Sequence, residues 1–410
     1  MKKTILALLI CLFSVNVNAF PYLPDTESAI SVLPDDNIIL SADWLKEEYL
    51  KKPTENIVIS PMSVYLISTL LQSGAENETL KELSEFLNAS SKRMRTEEYA
   101  YQNPKPYKNN AVSDYLNTLS ESIQISNSLW GNFFKESFKE NAVSVFKADV
   151  FPLPENTSKI NAFISEKTMG KINGILPERP LSPKDNLFLV NTVYFKDEWR
   201  IPFETYETKK AEFQTPAKKK EVAMMHHIFR SLPYFENEKI QAIALPYKNG
   251  DKMYLILPKK EVSFSEFMSE LSYKDIFLNM RDLPVLVKLP RFKIESETID
   301  LIPYFKSNNV QRIFNPALSE LGSVSDKETY VSSFLHRAVI EVDETGTEAA
   351  AVTAIAMANS AMPFGLKRQD MLLEFIADRP FIFMINDGLF IGIVNEPEDY
   401  TSHKKNMLFP

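Results

Sequence analysis

The sequence predicts an α+β fold built as one continuous domain, on three observations. Segments with helical spacing of apolar residues come mainly first and strand-like segments mainly later, the order expected of α+β chains. "NLFLVNTVYF", residues 186–195, is nearly uninterrupted apolar sequence, the mark of a strand covered on both faces. Finally, 410 residues at 44% apolar content are ample for a large core, and no Pro-, Gly- or Ser-rich linker or internal repeat divides them.

The N-terminus, "MKKTILALLICLFSVNVNAF", carries Lys2 and Lys3, an apolar run to about Val15, then Val17-Asn18-Ala19. That pattern predicts a signal peptide over residues 1–19, cleaved after Ala19. The run is too short to span a bilayer, and bulky Ile10 before Cys11 argues against lipidation. The mature chain, residues 20–410, is then expected outside the cell, or in the periplasm if the host is a Gram-negative bacterium. Cys11 is the only cysteine, so stability after export cannot rest on disulfides. No later segment has the character of a membrane span, and a net charge of −8 argues against general nucleic-acid binding.

In the mature chain, "DDNIILSADWLKEEYLKK" has helical periodicity, and "SPMSVYLISTLLQSGAENETLKELSEFL" reads as two helices divided at Gly74. Residues 89–111 are polar and Pro-interrupted, hence loop, before a short helix near 112–121. "IQISNSLW" predicts a strand, with helices near 133–145 and 158–170 after it. Several strands follow between 210 and 257, then "PVLVKLPRFKI", "TYVSSFLHRAVIEV" and a closing hairpin, "PFIFMINDGLFIGIVNEP".

Catalytic patterns are missing. Of four histidines, His226, His227, His336 and His403, the adjacent pair has no second pair or cysteine at metal-ligand spacing. No G-x-S-x-G turn presents a serine, and the 10 glycines form no phosphate-cradling loop. The expectation is a protein without metal or cofactor that is not an enzyme.

The unusual passage is "ETGTEAAAVTAIAMANSAM", residues 344–362. Alanine favours helix because it loses no side-chain entropy there. Yet this run follows the β-branched "HRAVIEVDE" and leads into the loop-like "PFGLKRQD". Taken alone, the passage reads as a plain surface helix.

From about residue 36 to 397 the chain resembles the serpin family, at five separated places in the family's order. "NIVISPMSVYLISTLLQSGA" is similar to the family's helix-B region. "NTVYFKDEWRIPF", "VAMMHH" and "LPYKNGDKMYLILP" resemble its central strands. "HRAVIEVDETGTEAAAVTA" resembles the strand and hinge leading into the reactive loop, and "FIADRPFIFMI" the C-terminal signature. Asp197, where the family usually has glycine, and Glu396 before Pro397 depart from the pattern.

The resemblance implies three β-sheets including a large central one, about nine helices, and an exposed reactive-centre loop over about 344–376. It also implies a monomeric suicide-substrate inhibitor of serine proteases, with no cofactor. The protease cleaves the loop, which inserts as a new strand of the large sheet and traps the acyl-enzyme. The hinge would be Glu344, Gly346, Thr347, Glu348, Ala349, Ala350 and Ala351. As a strand, one face reads Thr347, Ala349, Ala351, Thr353, Ile355, Met357, and the other Glu348, Ala350, Val352, Ala354, Ala356. The first face is small to apolar and uncharged, fit for burial. Gly346 lacks a Cβ and can pivot, and no proline falls between 344 and 362 to remove a ladder donor.

By the same resemblance, Ser60, Ser63, Asn191 and His336 form a polar shutter beneath the large sheet, and Trp199 marks the breach at its top. Arg291 and Glu344 make an ion pair there; as a partly exposed pair it is worth about 0–1 kcal/mol. The family's spacing places the scissile bond sixteen residues past Glu344, at Ser360–Ala361, with Met362 and Phe364 as alternatives. Such residues suit elastase-, subtilisin- or chymotrypsin-like proteases, whereas Lys367 and Arg368 come too late for trapping. A non-inhibitory carrier or chaperone is the alternative, but those have charged or bulky hinge residues where this chain has Ala349–Ala351. Lys92, Arg93, Arg95, Lys105 and Lys108 read as a solvated loop rather than a polyanion site, since Glu97 and Glu98 interrupt them.

Overall fold

Alternation and turn residues cut the chain into many short strands. The computed structural model describes residues 37–92, 112, 116, 117, 119, 123–271, 273–347, 372–386 and 388–400. In chain order the strands are β1 Ile57–Ile59, β2 Ile123–Trp130, β3 Asp149–Phe151, β4 Leu187–Phe195, β5 Asp197–Glu198 and β6 Lys209–Gln214. There follow β7 Lys219–Glu236, β8 Ile240–Pro246, β9 Lys252–Pro258, β10 Arg281–Pro290, β11 Phe292–Glu295 and β12 Ile299–Asp300. The last are β13 Val331–Val342, β14 Gly346–Thr347, β15 Leu373–Ile376, β16 Phe381–Ile385 and β17 Phe390–Val394. Eight α-helices and two 3-10 turns lie among the described residues.

The large sheet has eight strands in the order β3-β2-β4-β13-β14-β5, with β11 and β12 also paired to β13. The second has nine, in the order β1-β17-β16-β9-β8-β7-β10-β15, with β6 on β7. Two of the three implied sheets are thus fused. The cause is β7, whose 18 residues serve both: its first part pairs β6 and β10, and its last residues pair β8.

Strand β4 is buried at every position, as its apolar run predicts. Leu187, Leu189, Val193 and Phe195 face the main core, while Phe188 and Val190 face a smaller one. Helix Ser158–Lys167 builds that smaller core, setting Ile160 and Ile164 against Trp130, Phe188, Val190, Leu335 and Val339. A helix on one face and the second sheet on the other make a polar position in β4 exceptional. Asn191 and Thr192 are both fully buried there, and Asn191 is the one whose side chain joins a hydrogen-bond network.

Some boundaries differ from the sequence reading. Helix Asn77–Lys92 runs into the segment read as loop. "PVLVKLPRFKI" divides at Arg291, because β10 pairs in the second sheet and β11 in the large one. The reactive-loop region expected to reach 376 stops sooner, since Leu373–Ile376 pairs in parallel with β10. Helices Phe264–Glu270, Tyr273–Leu278 and Ile302–Ser307 gave no signal, being six or seven residues long, too short to show a period.

At β17 the packing leaves no room for a side chain. A Cβ on Gly392 would lie 2.1 Å from the Ile57 carbonyl oxygen and 2.6 Å from the Phe383 ring. Gly392→Ala is expected to destabilise the fold by about 3 kcal/mol, read as a lower urea midpoint with an unchanged slope.

Candidate functional site

The large sheet is closed below and open at its top. β4 and β13 pair in parallel from Val331↔Leu187 to Val339↔Tyr194. Beyond Phe195 the chain continues as β5, and here β13 and β5 are not paired with each other. Gly346–Thr347 lies between them, antiparallel to both, with Val342↔Thr347, Gly346↔Glu198 and Thr347↔Asp197 as partners.

Below that opening, a polar rung crosses three adjacent strands. Asn127, Asn191 and His336 stand opposite one another on β2, β4 and β13. Asn191 Nδ2 donates to Asn127 Oδ1 at 2.6 Å, and Asn191 Oδ1 accepts from Ser63 Oγ at 2.8 Å. The Ser60 backbone N–H donates to His336 Nε2 at 3.1 Å, so Nε2 is an acceptor and Nδ1 carries the proton. His336 Nδ1 then donates to Asn191 Oδ1 at 2.6 Å. Ser60 precedes helix Pro61–Gly74 but does not cap it with its side chain; Oγ instead donates to the Leu389 carbonyl at 2.5 Å. All four implied shutter residues meet, and all are fully buried. Asn127 is a fifth member that the sequence reading missed. A buried Asn in the middle of a strand was its available signal.

The hinge is folded by a residue also missed, Asp343. Its Oδ1 accepts from the Thr345 N–H at 2.8 Å and the Gly346 N–H at 3.2 Å, which turns the chain back on β13. Trp199 clasps the turn: Nε1 donates to the Asp343 carbonyl and the backbone N–H to the Thr345 carbonyl, each at 2.9 Å. Gly346 is required for close approach, since a Cβ there would fall 2.1 Å from the Asp197 carbonyl oxygen. The Arg291–Glu344 pair forms at 3.4 Å, but it is more buried than the partly exposed pair expected: the side chains are 13% and 7% accessible. Thr208 Oγ1 adds a 2.6 Å hydrogen bond to Glu344 Oε1. Arg291 also lies 3.7 Å from Asp343, so its loss would leave two buried carboxylates without their cation. Burial also raises the Asp343 carboxyl above its usual range, despite the N–H donors and Arg291 nearby.

Glu348, Ala349, Ala350 and Ala351 and the positions Ser360, Ala361, Met362 and Phe364 lie outside the described residues, as does the segment 1–19. His226 sits 3.8 Å from Glu207, and among the described residues no group of three potential metal ligands assembles. No helix among them is long and apolar enough to cross a membrane.

A sheet closed over a polar rung, with the two-residue strand Gly346–Thr347 lodged in its top, defines a distinct class of α+β protein. The comparisons specify which kind. The serpin (serine protease inhibitor) family profile matches residues 35–397. A serine protease inhibitor of Cyanea capillata is 32% identical over 373 residues, covering 84% of this chain and 93% of that protein. Among solved structures, the thermophilic serpin Tengpin in its native state matches with TM-score 0.73 and 27% identity, over 91% of this chain and 95% of that one. Human thyroxine-binding globulin shares the fold at TM-score 0.75 and 21% identity, over 91% and 100%. The chain belongs to the serpin family, whose members are generally protease inhibitors and not enzymes.

Burial drives the His336 imidazole down to about 3. The unfolded chain takes up that proton near pH 6.5, and the folded chain does not. Stability from this group is therefore complete above about pH 6.5 and is lost as pH falls toward 3, at up to ~1.4 kcal/mol per pH unit. His336→Gln should flatten the pH dependence by one proton while lowering neutral-pH stability by about 1–3 kcal/mol. Urea midpoints at pH 7.5, 6 and 5 report both.

Proposed function

We propose that the mature chain is an exported, monomeric suicide-substrate inhibitor of serine proteases. The observation that carries this reading is the Gly346–Thr347 rung, seated between β13 and β5 while β4 and β13 remain paired below it. A target protease would acylate its serine with the Ser360 carbonyl and release the Ala361 amine. The freed strand would then continue the rung already in place. Thr347 to Met357 supplies 11 residues, which at about 3.3 Å each reach roughly 36 Å. The 12 residues of β13 are a matching length. An enzyme held at Ser360 would sit just past the sheet, pulled taut, with its deacylation geometry spoiled.

Side chains that enter the sheet's buried face must be small or apolar, and Thr347, the first of them, has no solvent exposure. On the same face of the expected strand Ala349 and Ala351 continue in kind, with Ala350 equally small on the other. Carriers of the thyroxine-binding globulin type share the fold, and the small hinge residues weigh against that second reading. A small residue at Ser360 suits an elastase-, subtilisin- or chymotrypsin-like target.

Two outcomes test the reading. Incubated with a panel of such proteases, the protein should give an SDS-stable covalent complex whose small C-terminal fragment begins at Ala361. Trapped trypsin with a fragment beginning at Gln369 would overturn the assignment of the bond. Thr347→Arg should convert inhibitor to substrate, because an unpaired charge entering the buried face costs several kcal/mol. Trapping at unchanged stoichiometry would contradict it.

A further inference from the structure

The Tyr247 side chain is completely buried at the start of the turn between β8 and β9, in the sheet opposite the hinge. Its ring is clamped: stacked on Trp199 at 4.4 Å and 15°, and met edge-on by Phe195 at 4.9 Å. Trp199 is in turn bonded to the hinge turn through Asp343 and Thr345. So fixed, the hydroxyl points at the large sheet, where it meets Thr347 Oγ1 at 2.6 Å. Thr347 is itself fully buried. Two buried hydroxyls, a hundred positions apart in sequence, satisfy each other across the space between the sheets.

We propose that Tyr247 is a positioning residue for strand insertion: its hydroxyl latches Thr347 so that the intact chain keeps the first rung seated. The latch rests on the inhibitory reading for its purpose but not for its existence. Seating the rung before cleavage removes the first opening step from the race against deacylation. Gly346 and Thr347 already belong to the sheet. If the hinge withdraws, both hydroxyls lose their partner together. The docked state is therefore favoured by a matched pair, not by either group alone.

That pairing dictates the test. Tyr247→Phe leaves the Thr347 hydroxyl buried without its partner, and Thr347→Val does the converse. Each should speed amide hydrogen exchange at Gly346 and Thr347 about 5- to 100-fold in the intact mature protein. The double variant Tyr247→Phe/Thr347→Val buries two apolar groups of the same shape and should return exchange to within about threefold of the parent. Amides of β4 in the same samples control for general loosening and should stay unchanged. Unchanged hinge exchange in Tyr247→Phe, or a double variant as loose as the singles, overturns the latch. Against protease, Tyr247→Phe should be cleaved more often per molecule trapped, and the double variant should recover the parent's ratio. Thermal midpoints of the parent before and after loop nicking separate the two claims. Without a gain on nicking the inhibitory reading fails, whereas the exchange result decides the latch on its own.

Discussion

The hydrogen bond from the Ser60 N–H to His336 Nε2 is the constraint on which the large sheet depends. It fixes the tautomer, which lets Nδ1 donate to Asn191 Oδ1. Asn191 can then spend its amide hydrogens on Asn127, and its oxygen also accepts from Ser63. Every group of the rung has a partner, which makes it tolerable in a strand buried along its whole length. Because the rung ties β4 to β13 and both to helix Pro61–Gly74, parting the strands breaks a network rather than a single contact.

Above the rung the sheet is held differently. The hinge turn rests on Asp343, Trp199, the Arg291–Glu344 pair and the Tyr247–Thr347 hydroxyls, and these come from both sheets. The chain crosses from the second sheet to the large one at Arg291, between β10 and β11. That crossing carries a cation into the breach, where burial of its carboxylate partners would otherwise be prohibitive. Local sequence order thus supplies the charge that the hinge needs.

Much of this was legible before the structure. The apolar run of β4, the helix pair divided at Gly74 and the closing hairpin follow from periodicity alone. The shutter residues and the hinge were legible through family resemblance, since nothing local marks Ser60 or His336 as partners 276 positions apart. Asn127, an Asn in the middle of a predicted strand, left a faint signal, whereas Tyr247 and Asp343 were not legible. Their roles arise from register and from contact across the sheets, and a tyrosine in "LPYKNG" looks like any core aromatic. The burial of Arg291 and Glu344 was likewise hidden, because charge type does not reveal depth.

Helix Ser158–Lys167 lies across the two strands that a new one would separate, gripping Phe188 and Val190 on β4 and Leu335 and Val339 on β13. Neighbouring strands stand about 4.8 Å apart, so a strand seated between them would double that separation to about 9.6 Å. The helix would then be a strap across a widening seam, and it would have to slide on one strand or swing aside and pack again. On the proposed mechanism its grip, set by side chains well away from the loop, would be a mechanical governor on how fast the sheet expands.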